Sequence, residues 1–446
     1  MNGNNLNIVI IISAVLLLMS CRGTKNLSTN AQKMKPKSSD KEDSRSSHWG
    51  EVDTIYWTEI DKTTEYNKTI EDLELDKRDN YKVGLLFPFG ISNNDISDLQ
   101  NSNTRLGRIA RFYTGTLMAL DQLNQEGLNL EILTLDAESG SFDSKLRQCK
   151  DADVIIGPRD KGQLATTAQY GYNNEIPVIS PWLSSTKVTS DNPFYIQLKP
   201  SLKKHMAKIV DDVKQKFSDD QVFLLGRKNR KDAGMMRYIQ ELATVNRPGL
   251  SSKRFQEYYV EPDSLIKGDT AFDNIFYEDK TTVFIVPHWS FADDEQFVYD
   301  LVRKLSGEKG LNEVVVYGMP ILLESERIKF EHYSSLNMHI CRTSYLDRTD
   351  PFVNEFRREY FNLYQGFPSE DVYQGFDMMM LIGRSLNNYG KKFQYFLDTY
   401  ESSLFQTEYN VVRVYPNNTD DFKQIQYFQN DHLYIIEFTD NQFVPR

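Results

Sequence analysis

This chain predicts an α/β fold of two doubly wound, parallel-sheet lobes joined by a three-strand hinge. Three observations carry that expectation. Short, fully apolar runs closed by Gly or Pro recur from Tyr81 onward and read as buried strands. Amphipathic helical stretches alternate with them, which implies parallel strands joined by right-handed crossovers. The alternation then restarts after Gln197–Ser201, so the unit occurs twice. A length of 446 residues agrees, since about 150 residues per domain gives two to three domains.

The first 20 residues read as an export signal rather than a part of the fold. Ile8 to Met19 is an almost unbroken aliphatic run of 12 residues, too short for the roughly 20 that cross a bilayer as a helix but suited to a signal h-region. Leu18-Met19-Ser20-Cys21 resembles a bacterial lipobox, which makes Cys21 the expected lipidation site and first mature residue. Acyl chains contribute about 0.8 kcal/mol per buried methylene, enough for stable anchoring. The expected location is then the cell envelope, lipid-anchored at the outer membrane or periplasmic face. Residues 21–80 read as a flexible tether: Arg22 to Gly50 has Leu27 and Met34 as almost its only large apolar side chains, too few to offset the entropy of ordering. Its seven Lys and Arg outnumber its three Asp and Glu, a balance favourable beside anionic head groups. Val52–Trp57 reads as a short strand and Glu71–Arg78 as a weakly helical approach to the body.

The body begins at Tyr81–Pro88, an apolar strand closed by proline. Arg108–Glu126 sets Phe112, Leu117, Leu120 and Leu123 at helical spacing and ends at Gly127, a C-cap residue. Leu130–Leu135, Val154–Ile156 and Pro177–Ser180 read as strands, with helices at Phe142–Cys149 and Lys161–Tyr172 between them. In the second half, helices at Leu202–Phe217, Asp232–Thr244 and Asp293–Leu305 alternate with strands at Gln221–Leu225, Phe255–Val260, Thr282–Pro287 and Glu313–Gly318.

Several of these segments carry a resemblance. Val83-Gly84-Leu85-Leu86-Phe87-Pro88, Phe112-Tyr113-Thr114-Gly115, Asp153-Val154-Ile155-Ile156-Gly157-Pro158 and Ile176-Pro177-Val178-Ile179-Ser180-Pro181 together resemble the first lobe of type I periplasmic binding proteins. Asp191–Leu198 is similar to that family's first interlobe crossing, and Tyr373-Gln374-Gly375-Phe376-Asp377 to its Gly-Tyr-Asp helix, which returns to the first lobe. The resemblance covers nearly all of Tyr81 to Phe443. It implies a clamshell with three crossings, lobe 1 formed by 81–198 and 346–400 and lobe 2 by 199–345 and 401–446. The long-loop version seen here, with Leu-Leu-Phe-Pro-Phe followed by Phe-Tyr-Thr-Gly, also resembles the binding-protein-like domains of outer-membrane lipoproteins that activate peptidoglycan synthases.

In such a fold a ligand lies outside the carboxyl ends of the strands, where helix N-terminal amides point outward. That rule nominates, in lobe 1, Phe89, Arg159 and Ser180, then Trp182 as a stacking wall and Ser184, Ser185 and Thr186 as hydroxyl donors. In lobe 2 it nominates Arg227, with Lys228 and Asn229, then His288, Trp289 and Ser290. Each has an ordinary structural alternative: an N-cap for the hydroxyl cluster, loop packing for His288 and Trp289, a solvated surface for Arg227. The long Asn- and Ser-rich loop Gly90–Thr104, and acids Asp293, Asp294 and Glu324 without diagnostic spacing, depart from an amino-acid pocket.

Other chemistries are excluded more directly. A formal charge of −11, from 52 Lys and Arg against 63 Asp and Glu, argues against a nucleic-acid partner, which needs a basic surface. There is no nucleophile elbow, no zinc-binding His-Glu-x-x-His and no Lys-Ser/Thr phosphate loop, so no enzymatic activity, no metal and no cofactor is expected. Whether Cys149 and Cys341 pair is left open. The expectation is a non-enzymatic solute-binding or sensory lipoprotein that captures a small polar ligand between its lobes. The alternative is a regulatory lipoprotein that docks a peptidoglycan-synthesis enzyme of the cell envelope.

Overall fold

The computed structural model describes residues 75–90, 98–99, 101, 104–267, 270–272, 274–398, 404–416 and 425–446. The export segment, Cys21, the basic tether and the strand expected at 52–57 lie outside these residues. So does most of the 90–104 loop. Residues 75–78 are extended rather than helical, and Asp76 forms a β-bridge with Gly390.

Among the described residues the elements begin with β1 (Tyr81–Phe87), α1 (Arg105–Gln125), β2 (Leu130–Asp136), α2 (Phe142–Gln148), β3 (Val154–Ile156), α3 (Lys161–Asn174), β4 (Val178–Ser180) and β5 (Tyr195–Gln197). It continues with α4 (Leu202–Lys216), β6 (Val222–Gly226), α5 (Arg230–Thr244), β7 (Gln256–Tyr259), α6 (Pro262–Ile266), β8 (Thr282–Val286) and α7 (Phe291–Glu308). β9 (Val314–Gly318), α8 (Ile321–Glu324), α9 (Phe330–Ser335), β10 (Met338–Arg342), α10 (Pro351–Tyr364) and α11 (Glu370–Tyr389) follow. Four strands close the chain: β11 (Val411–Val414), β12 (Tyr427–Asn430), β13 (Tyr434–Thr439) and β14 (Gln442–Pro445).

Among the described residues two seven-stranded sheets result, ordered β2-β1-β3-β4-β5-β12-β11 and β7-β6-β8-β9-β10-β13-β14. Each is parallel through its first six or five strands respectively and finishes with antiparallel pairs, β11 on β12 and β13 on both β10 and β14. Parallel strands covered by helices on both faces are buried on both, and the alternation along β1 shows the division. Val83, Leu85 and Phe87 face the core beneath α1 and α11, whereas Leu86 joins Leu146 of α2 and Leu164 of α3 on the opposite face. The second sheet has its own core, centred on Val283, Phe284, Val316 and Leu301.

Sheet membership corrects one boundary. Residues 401–446 were expected in lobe 2, but β11 and β12 extend the first sheet. β12 pairs in parallel with β5 through Phe428 and Ile196, and Val411, Ile425 and Phe428 fill the first lobe's core. Burying those side chains there decides the matter, and only the segment from Leu433 onward packs in lobe 2. The crossings accordingly follow β5, β10 and β12. Asp377 on α11 anchors the segment beside the second crossing: its carboxylate accepts backbone N–H bonds from Phe405, Gln406 and Thr407 at 2.9–3.0 Å, and the Gln406 carbonyl accepts from the Tyr345 amide.

α1 and α11 cross unusually closely in lobe 1. A Cβ on Gly115 would collide with the Val372 carbonyl, and one on Gly375 with the Phe112 carbonyl. This reciprocal contact is why the Phe112–Gly115 and Gly375–Asp377 segments stand out in the sequence. Cys149 caps α2 in lobe 1 and Cys341 lies in β10 of lobe 2; both are buried and free.

Candidate functional site

Residues nominated in lobe 1 divide into three groups. Phe89 and Trp182 join an aromatic wall at the carboxyl end of β1: the Trp182 ring lies 5.2 Å from Phe87 and 5.0 Å from Phe112, and Phe89 lies 5.4 Å edge-on from Tyr113. Ser180 is instead buried inside the lobe, on the strand face it shares with Val178, beside the Tyr195 hydroxyl. Ser184 is buried as well, and the Ser185 hydroxyl accepts from the Lys187 amide in a local turn. Thr186 is half-buried in that turn. The hydroxyl cluster thus follows its ordinary structural alternative.

Arg159 belongs to the third group and is the one that gathers others. It follows β3 through Gly157, whose φ of +88° and tight approach to the Leu86 carbonyl leave no room for a side chain. Beside it stand Arg105 and Arg108, from the first turn of α1, which holds no acid. Thr104 caps that turn, its side chain accepting from the Gly107 amide at 3.0 Å. Arg105 pairs with Glu138, just beyond β2, and Arg108 with Asp371 of α11 at 3.3 Å. Arg159 itself makes no hydrogen bond or ion pair with any described residue. Burial, reinforced by Arg108 and Arg105, pulls its guanidinium below the ordinary value.

Lys199, two residues beyond β5 on the first crossing, is a fourth cation of this cluster. Burial brings its ammonium down to about 8, Arg108 and Arg159 push the same way, and Glu324 and Asp371 oppose them. Glu324 closes α8 of lobe 2 and acts on Arg108 too, so its charge reaches the cluster from the other lobe. Arg342, ending β10 in lobe 2, reaches Glu370 at the start of α11 in lobe 1 at 2.9 Å. Arg159, Lys199, Arg342 and Glu138 follow or end strands, and Arg105, Arg108, Glu370 and Asp371 lie in the first turns of α1 and α11. Charges from both lobes and from a crossing therefore converge on one rim.

The residues nominated in lobe 2 are held in an internal network. Arg227 donates to Asp232 at 2.9 Å and to Asp294 at 2.5 Å, and its guanidinium lies 4.6 Å from the Phe297 ring centre. His288, fully buried, meets Asp232 at 2.9 Å. Burial alone would raise the Asp232 carboxyl, but hydrogen bonds from His288 and Arg227 outweigh it and hold the group well below the usual carboxylate range. Trp289 is buried, with Lys231 5.0 Å from its ring centre, and Ser290 caps α7 by accepting from the Asp293 amide. Lys228 turns outward to Glu261. These side chains brace β6, β8 and α7 against each other.

Sequence reasoning nominated the carboxyl edge of the sheets but did not name Arg105, Arg108, Lys199, Arg342, Glu370 and Asp371, which lie along it. One signal was available: two arginines in the first turn of an amphipathic helix run against the helix macrodipole, which favours acids there.

The fold agrees with the comparisons. Crystal structures of a putative branched-chain amino acid ABC transporter protein from Rhodospirillum rubrum (12% identity, 82% of this chain, 100% of that one, TM-score 0.55) and of an ABC-type branched-chain amino acid transporter protein from Rhodopseudomonas palustris (14%, 82%, 95%, TM-score 0.52) share the architecture. So does Haemophilus influenzae LpoA (12%, 83% of this chain, TM-score 0.51), of whose length the match spans 59%. No curated protein sequence matches the chain. At these identities the likeness is one of fold, that of type I periplasmic binding proteins. A family model described as receptor family ligand binding region matches residues 112–425, most of both lobes and the first two crossings. The chain belongs to the receptor family ligand binding region family.

Proposed function

We propose that this protein is a lipid-anchored, extracytoplasmic solute-binding or sensory protein that captures a small polar ligand between its lobes without transforming it. The observation that carries this reading is the convergence of Arg108, Arg159 and Lys199 with Glu324 across the lobes. Such charges at strand carboxyl ends suit a ligand that touches both lobes, and contacts to both favour closure over the open form. The transporter-like neighbours support it at the level of fold, and the lipobox-like Leu18–Cys21 supports the anchor. A thermal-shift screen with amino acids, sugars, carboxylates and phosphates tests it. A ligand at 100 times its dissociation constant adds about 2.7 kcal/mol of stability, so one solute class is expected to raise the melting temperature saturably. No shift from any class would count against capture.

A second reading is favoured by a different observation. Phe352, Leu363 and Phe367 on and just after α10 are 73%, 60% and 71% exposed, more apolar surface than a solvated helix needs. A regulatory lipoprotein that docks a cell-envelope enzyme would use such a face, and retention of that enzyme by the wild type, lost when Phe367 becomes serine, is the outcome that would prefer it.

A further inference from the structure

We propose that Arg105, Arg108 and Arg159 form the subsite for an oxyanion, a phosphate or carboxylate group carried by the captured solute. This deepens the solute-binding reading and rests on it. Three cations stand together here, and the protein's own acids account for two of them: Glu138 takes Arg105 and Asp371 takes Arg108. Arg159 is left with no hydrogen bond or ion pair among the described residues, although it is half-buried and flanked by two like charges. Nothing in the fold requires a guanidinium there. It packs on no described aromatic ring, caps no helix and bridges no strands, while the loop that presents it is built with care around Gly157.

An unbalanced, partly desolvated guanidinium is unfavourable in the empty protein. A planar fork of N–H donors matches an oxyanion in bidentate fashion, so a bound oxyanion would relieve that cost. The placement of two arginines in the first turn of α1 adds to the same balance, because the positive end of the helix also favours an anion at this spot. Glu324, whose charge reaches the cluster from lobe 2, gives the opposite end its complement: the solute's hydrogen-bond donors or positive group would lie toward lobe 2, and its anionic group deep against lobe 1.

Full-length wild type, R159Q and R159K are compared by calorimetric titration and thermal melting in sodium phosphate, sodium succinate and glucose, with sodium chloride at equal ionic strength as reference. R358Q serves as a control, since Arg358 pairs with Glu355 on the exposed side of α10 and with no other described residue. Phosphate or succinate is expected to bind wild type and R358Q, with affinity at least about tenfold weaker in R159Q and an intermediate loss in R159K. Whichever of the two salts binds identifies the group. Without oxyanion, R159Q is expected to melt at or above the wild-type temperature, which separates loss of a subsite from loss of folding. Binding of glucose alone would overturn the oxyanion subsite and leave solute capture standing. Equal stabilisation of wild type and R159Q by the oxyanion salts would reduce the effect to general salting and overturn the subsite. Absence of binding by both oxyanion salts and by glucose would overturn the subsite, whereas solute capture falls only with the wider thermal-shift screen.

Discussion

At the residue scale, two arginine environments that look alike in the sequence do opposite work. Arg227 and Arg159 each follow a parallel strand, but Arg227 is satisfied by Asp232 and Asp294, whose side chains are fully buried, whereas Arg159 is satisfied by nothing described. Removing one partner of a buried ion pair leaves an uncompensated charge and typically costs about 3–5 kcal/mol. R227Q is therefore expected to lower the unfolding free energy by about that amount in urea titration, without the selective loss of oxyanion binding expected of R159Q. The pH dependence has a definite sign. Asp232 has a folded-state pKa below its ordinary 3.8, so its contribution is complete above that value and is lost as the pH falls below it. R227Q, with Asp232 less depressed, is expected to show a shallower decline in stability through the acid range.

At the element scale the chain was largely legible, and the reasons are local. β1, β6, β8 and β9 are short, wholly buried apolar runs, and a parallel sheet covered on both faces requires that composition. The α1–α11 crossing was visible only as two glycine-bearing segments, and the structure gives their reason: only glycine permits the backbones of Gly115 and Gly375 to meet the opposing carbonyls. G375A is expected to destabilise by about 3 kcal/mol or more, since a methyl there forces two rigid helices apart; chemical denaturation of the variant reads this directly, and an unchanged midpoint would show that the crossing is looser than drawn. The tail resisted because β11 and β12 are short, and nothing local in Val411–Val414 says which sheet edge accepts it. That is fixed by pairing with β5, more than 200 residues away. The site resisted for the same reason: Arg108 and Asp371 meet although they are 263 positions apart, and single loops reveal residue types but not who neutralises whom. His288 and Arg227 looked available in sequence because their shared partner Asp232 lies at the start of α5, where nothing local links it to a histidine 56 positions on.

At the scale of the whole molecule, the chain passes between its lobes after β5, β10 and β12, and the charged rim is assembled where the first two of those passages begin. Lys199 rides on the first crossing, Arg342 leads into the second, and Asp377 fixes the backbone of 405–407 alongside it. A solute bridging Arg159 and Glu324 would thus draw on groups placed beside the hinge itself, so that occupancy and lobe angle are linked. Spin labels at Gln169→Cys on α3 and Lys329→Cys before α9 occupy exposed positions on the two lobes, and the native Cys149 and Cys341 are buried away from reagent. Pulsed dipolar distance measurement on this pair, with and without the solute that raises the melting temperature, is the most direct test of capture between lobes. A shorter and narrower distance distribution on binding is the predicted result. An identical distribution with the solute demonstrably bound would contradict it.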